Sequence, residues 1–184
     1  MTPHHVPAGA TPEGDGVVLG AGPVSVDAFI DFLCPFCRQF ELSAGEMLAT
    51  MAADGQISLA YHPMDFLDAA STTRYSTRAA AASGCAADGG RFAEYAHALF
   101  VDQPPEGSAG LTDAQLVEIG VGVRLPSAAF GECVQQGRYV DWPPYVTARA
   151  TALGVSATPT VLVAGVPVPA NARMIAAAVA KAAE

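Results

Sequence analysis

The residues of this 184-residue chain best suited to covalent chemistry are two cysteines with two residues between them, in the segment Cys34-Pro35-Phe36-Cys37. A thiolate can attack a disulfide to form a mixed disulfide, and a second thiol held close by can then release it. If the pair sits where a strand runs into a helix, both sulfurs lie on the first helical turn, within reach of each other. The helix N-terminus offers unpaired backbone N–H groups and a partial positive charge, and both favour thiolate over thiol at Cys34. Cys34 is therefore the expected attacking sulfur, with Cys37, one turn deeper, as the resolving thiol. Each pKa unit of depression is worth about 1.4 kcal/mol in favour of the thiolate. That preference makes the disulfide more oxidising and Cys34 a better leaving group. The spacing also fits half of a zinc site or two inert core cysteines, but zinc needs two more ligands, and Cys85 and Cys133 are not spaced as a second metal-binding pair.

The elements that must position the pair can be read on either side of it. Upstream, Val24 to Phe32 is rich in β-branched and aromatic residues, follows Gly20-Ala21-Gly22-Pro23 and ends at the cysteines, which predicts a central strand. Downstream, Phe36, Phe40, Ala44, Met47, Leu48 and Met51 recur at three- and four-residue steps, with Glu41 and Glu46 off that stripe, which predicts an amphipathic helix closing near Asp54-Gly55. Gln56 to His62 reads as a second strand, completing a βαβ unit with parallel strands.

Alanine-rich stretches then predict helices over about Thr72–Ala87, Arg91–Val101, Thr112–Gly120, Ser127–Gln136 and Tyr139–Leu153. Thr112 is a candidate N-cap, and Pro143-Pro144 implies a break or kink in the last helix. Thr160–Val163 and Val166–Val168 around Ala164-Gly165 predict a hairpin whose proline-bearing strand lies on an edge, and Asn171 is placed to cap a closing helix. The expected organisation is a flexible leader over 1–16, a βαβ half over 17–64, a helical insertion over 65–153 and a ββα half over 154–184.

Composition narrows the function. A formal charge of −9 with only 9 Lys and Arg argues against nucleic acid as a partner, because such affinity comes from clustered cations on phosphates. No apolar stretch approaches the about 18–20 residues that cross a bilayer, and the alanine-rich tail from Met174 is interrupted by Lys181. Met1 to Gly22 lacks the basic patch and apolar run of a secretory signal. With Met1 as the true start this implies the cytoplasm, whereas a removed export segment would imply the cell envelope or the exterior. The His4-His5 pair reads as part of the loose leader, and the acidic residues read as a solvated face.

The segment Asp31-Phe32-Leu33-Cys34-Pro35-Phe36-Cys37 resembles the active-site segment of DsbA-like proteins in the thioredoxin superfamily, and Ser156-Ala157-Thr158-Pro159-Thr160-Val161 is similar to that family's second motif. The resemblance runs from about Val17 to the C-terminus. It implies an α/β thioredoxin-like fold, a mixed sheet flanked by helices with an α-helical insertion domain. It also implies thiol:disulfide oxidoreductase activity on cysteine-containing client proteins or peptides, with a redox partner protein or low-molecular-weight thiol and no metal or organic cofactor. It makes Pro159 a cis-proline beside the disulfide, with Thr158 offering backbone groups to a bound peptide. Pro35 and Phe36 border the reactive sulfur and join the substrate-binding set. Segments around Cys85 and Cys133 resemble those that many relatives join by a structural disulfide. One feature departs from the pattern: many relatives carry a buried acid six positions before the first cysteine, where this chain has Ala28, with Asp27 and Asp31 nearby.

His62, His97 and Trp142 are read as structural, since neither histidine has a ligand partner at helical spacing and Trp142 beside two prolines suits the cover of a helix end. The rival to a disulfide oxidoreductase, as dithiol oxidase or isomerase, is a redox-inactive binding module that keeps the fold and uses its groove to hold a peptide.

Overall fold

The computed structural model describes residues 2–184; Met1, the first residue of the expected leader, lies outside the described residues. The elements run β1 (Val17–Leu19), β2 (Val24–Ile30), α1 (Pro35–Ala53), β3 (Ile57–Pro63), α2 (Tyr75–Asp88), α3 (Phe92–Val101), α4 (Asp113–Gly122), α5 (Ser127–Gln135), α6 (Trp142–Ala152), β4 (Thr160–Val163), β5 (Val166–Val168) and α7 (Ala172–Ala182). The five strands form one mixed sheet in the order β1-β3-β2-β4-β5. β2 lies at its centre, parallel to β3 through pairs such as Val26 with Leu59, and antiparallel to β4 through pairs such as Ala28 with Val161. This is a thioredoxin-like fold with the helices α2 to α6 inserted between β3 and β4.

Local chemistry accounts for the element ends. α4 starts with a full capping box, in which the Thr112 hydroxyl accepts the Gln115 N–H and the Gln115 side chain accepts the Thr112 N–H. Asn171 caps α7 by accepting the Met174 N–H. The β4–β5 turn places Ala164 and Gly165 at φ of 48° and 76°, the paired positive values that a two-residue hairpin turn needs. Among the described residues β5 pairs only with β4, so Pro167 sits on the sheet edge, where its missing N–H breaks no ladder.

Four features differ from expectation. β2 stops at Ile30 instead of running to Phe32, because Asp31 turns the chain. α6 is not kinked: it begins at Trp142, so Pro143 and Pro144 occupy its first turn, where backbone N–H groups have no helical partner in any case. Residues 13–15 of the expected leader are bonded to α6. The Trp142 indole donates to the Gly14 carbonyl at 2.8 Å, the Tyr145 hydroxyl donates to the Glu13 carbonyl at 2.7 Å, and buried Asp15 meets Arg149 at 3.2 Å. Trp142 thus closes the leader against α6. Last, the acidic residues do not all face solvent, since Asp15, Asp31 and Glu41 are buried.

Candidate active site

After β2 the chain passes through Asp31, Phe32 and Leu33 to reach Cys34, the N-cap of α1. Asp31 shapes this turn. Its Oδ1 accepts the Leu33 N–H at 2.8 Å and the Ser76 hydroxyl at 2.7 Å, and its Oδ2 accepts the Leu67 N–H at 2.8 Å. One carboxylate therefore ties the turn to α2 and to the loop after β3. From the other side, the Gln103 amide donates to the carbonyls of Phe32 and Cys34 at 2.9 and 3.0 Å, so the segment after α3 grips the same turn.

Cys34 has extended backbone angles, φ −74° and ψ 119°, as an N-cap should, and Pro35 begins the helix at a position where proline loses no hydrogen bond. The Cys34 Sγ lies 3.4 Å from the Thr158 carbonyl, to which it donates as a thiol. The Thr158–Pro159 peptide is cis. The fold thus brings together Cys34, Pro35, Cys37, Thr158 and Pro159, although 124 positions separate Cys34 from Thr158 in the chain. Phe36 is 66% exposed and projects beside the sulfur as an apolar surface.

The two sulfurs are electrostatically unlike. A hydrogen bond from Cys37 is the largest influence on Cys34; burial opposes it, and the Thr158 side chain with the N–H groups of Cys37 and Phe36 adds to it, holding the thiol at about 6. At pH 7 such a group is about 90% thiolate, against about 3% for a free cysteine. Cys37 is fully buried and receives the Asp31 N–H at 3.4 Å. Its burial, and then its bond to Cys34, push its thiol far above the ordinary value. The Cys34 thiol is favoured as the thiolate and the Cys37 thiol as the neutral form.

Two polar groups at this site escaped the reading of the sequence. Asp31 stood within the motif, yet nothing in its spacing marked it as the fully buried acid, a role the resemblance had tied to position 28. Burial pushes its carboxyl up to about 6 despite the bonds from Ser76, Leu33 and Leu67, and the nearby Cys34 charge pushes the same way. Gln103 had no signal at all beyond preceding Pro104-Pro105. Cys85 and Cys133 lie away from the reactive pair, bonded to each other across 48 positions and joining α2 to α5. His62 is buried, with its ring nitrogens at the Asp15 carbonyl and the Asp27 carboxylate, 2.7 and 3.1 Å away.

Comparison with known proteins agrees with this geometry. The family model Thioredoxin_4, described as Thioredoxin, matches residues 14–179. The serine/threonine-protein kinase PknE of Mycobacterium tuberculosis is 37% identical over 132 residues, which is 67% of this chain and 23% of PknE, so the chain spans less than a quarter of that relative's length. Among solved structures, oxidised DsbA of M. tuberculosis superposes with a TM-score of 0.73 at 31% identity, covering 83% of this chain and 84% of that one. Reduced DsbG of M. tuberculosis gives 0.74 at 33% identity, covering 86% and 81%. BdbD of Bacillus subtilis, at 19% identity, shares the fold with a TM-score of 0.76 over 96% of both chains.

Proposed function

The chain belongs to the thioredoxin family, in its DsbA-like group of thiol:disulfide oxidoreductases, and from that premise we propose that Cys34 is the exchanging sulfur, Cys37 the resolving one, and dithiol oxidation the favoured direction. The observation that carries the proposal is the unequal pair: a Cys34 thiol held at about 6 beside a buried Cys37 kept protonated.

In the oxidised protein a client thiolate attacks the Cys34 Sγ. The Cys34–Cys37 bond breaks, Cys37 leaves and takes a proton, and a client–Cys34 mixed disulfide forms. A second client thiolate then attacks the client sulfur of that bond, and Cys34 leaves as a thiolate that needs no proton at neutral pH. The client has lost two electrons and the cysteine pair has gained them, so the exchange requires no metal or organic cofactor. Stabilising the reduced form in this way makes the disulfide a stronger oxidant.

Thr158 and Pro159 border the sulfur where an extended client backbone would lie, with the Thr158 N–H and carbonyl as its hydrogen-bonding edge. Phe36 and Pro35 add the apolar contact expected for unfolded, cysteine-bearing clients. A redox partner protein or a low-molecular-weight thiol–disulfide pair would reoxidise the dithiol. The alternative of a redox-inactive module is disfavoured by the family and by the ionised Cys34.

The test compares wild type with Cys34→Ser in peptide dithiol oxidation, insulin reduction and peptide binding. The expected result is active wild type, and a variant with both activities lost and peptide affinity kept. A wild type inactive in both assays overturns the proposal.

A further inference from the structure

A second site lies outside the thiol chemistry, on the face where α1 and α3 meet the β1–β3 edge of the sheet. There a cavity of about 500 Å³ opens to solvent, a size typical of small-molecule pockets. Its walls are largely apolar, formed in part by Leu19, Ala49, Leu59 and Val123. At its floor is Glu41, only 6% exposed. The Tyr61 hydroxyl donates to Glu41 Oε2 at 3.1 Å, and His97 Nδ1 lies 3.2 Å from Oε1.

The helix is built to admit this carboxylate. A Cβ on Gly45 would lie 2.5 Å from Glu41 Oε1, so glycine at that position leaves the acid room against the helix and open to the cavity. Burial pushes the Glu41 carboxyl above its ordinary value, with His97 and Tyr61 pulling it back, which marks a carboxylate held where solvation is poor. A carboxylate can accept about four hydrogen bonds, and Tyr61 and His97 supply two.

The charges around the cavity select what would supply the rest. Glu46 and Glu94 also line it, with no Lys or Arg among its described lining residues, although Glu94 is paired with Arg91 at 2.7 Å. An anion would meet the carboxylates of Glu41 and Glu46, a third already paired, and one imidazole already engaged. A purely apolar occupant would cover the spare acceptors of Glu41 without a donor, which is costly. An ammonium group carries three donors and a positive charge, and an apolar body behind it would match the walls.

We propose that this cavity is a binding site for a small amphipathic amine, its ammonium on Glu41 and its apolar body against Leu19, Leu59 and Val123. Nothing in this assignment depends on the redox function of Cys34.

The test titrates the full chain with 2-phenylethylamine and with its neutral counterpart 2-phenylethanol, following backbone amide resonances by NMR. Charge-assisted hydrogen bonds are about twice as strong as neutral ones, so the amine should bind about tenfold tighter than the alcohol. The shifts should centre on Ala93, His97 and Ala98. Glu41→Gln, which keeps an acceptor for Tyr61, should bring the amine down to the affinity of the alcohol. Ala93→Phe, which fills the cavity from its rim, should remove binding of both and serves should the first variant fold poorly. Equal affinity for amine and alcohol in wild type, shifts that map elsewhere, an amine advantage that survives Glu41→Gln, or amine binding that survives Ala93→Phe would overturn the assignment.

Discussion

Replacing Cys37 with alanine tests the account of the reactive sulfur more sharply than replacing Cys34, because it keeps the nucleophile and removes the group with the largest hold on its ionisation. A hydrogen bond to a charged group is worth about 1.5–3 kcal/mol, and one pKa unit corresponds to about 1.4 kcal/mol. Losing the Cys37 bond should therefore raise the Cys34 pKa by about one to two units, from its value of about 6. Relief of some burial in the smaller side chain acts the other way, so the lower half of that range is the sounder expectation. The thiolate fraction at pH 7 would fall from about 90% to between about 25% and 50%. Alkylation rate alone understates the change, since a thiolate of higher pKa is intrinsically more nucleophilic. The assay should thus be the full pH profile of alkylation or of thiolate absorbance in the reduced variant. Cys37→Ser, which restores a donor, should lie between wild type and Cys37→Ala. A Cys34 midpoint in Cys37→Ala that stays at the wild-type value would refute the claim that the neighbouring thiol holds Cys34 ionised.

Further expectations follow from the surrounding groups. The Cys34 charge raises the Asp31 pKa, and a like-charge repulsion acts on both partners, so Asp31→Asn should lower the Cys34 midpoint and raise the reduction potential; a midpoint that rises or stays put in a folded variant contradicts this. For stability, the folded pKa of Cys34 is depressed from about 8.5 in the unfolded chain to about 6. Its contribution is present in full above the unfolded value and fades as pH falls through about 6. Asp31, raised to about 6, has the opposite sign: it favours the fold below about 4 and loses that contribution as pH rises through its folded value. The melting temperature of reduced Cys34→Ser relative to reduced wild type should accordingly fall between pH 6 and pH 8.5, and a difference independent of pH would count against the Cys34 assignment. Gln103→Ala removes two hydrogen bonds to the active-site turn and should cost about 1–3 kcal/mol in denaturant unfolding; no loss would mean that the turn holds its shape unaided. Replacing Cys85 and Cys133 together with serine opens a loop of 48 positions and should cost about 4 kcal/mol on the chain-entropy estimate, read from the same unfolding curves.

Much of the fold could be read from pattern because its elements obey local rules. The apolar run into Cys34, the helical stripe after it, the Thr112 and Asn171 caps and the Ala164-Gly165 turn each carry their own signal within a few residues. The reactive pair was legible for the same reason, as two sulfurs at a strand–helix junction. What escaped depends on contacts far apart in the chain. Glu41 falls off the apolar stripe of α1 and looks solvated, yet α3 and β3 cover it and supply His97 and Tyr61. Asp31 is buried only because α2 and the loop after β3 bring Ser76 and Leu67 to it. The leader shows a loose composition, and its order comes from Trp142 and Tyr145, more than 120 residues away. Pro143-Pro144 was misplaced for a local reason: two prolines break a helix in its interior but start one at its first turn, and the boundary between Tyr139 and Trp142 was the undetermined quantity.

The central claim is that the sulfur of Cys34 is ionised at neutral pH, held so first by the Cys37 thiol and then by its place at the start of α1. The measurement that bears on it most directly is the pH profile of alkylation at Cys34 in the reduced wild-type protein, with the modified residue identified by peptide mass. A midpoint of about 6 is the predicted result. A midpoint near the about 8.5 of an unstructured cysteine would contradict it.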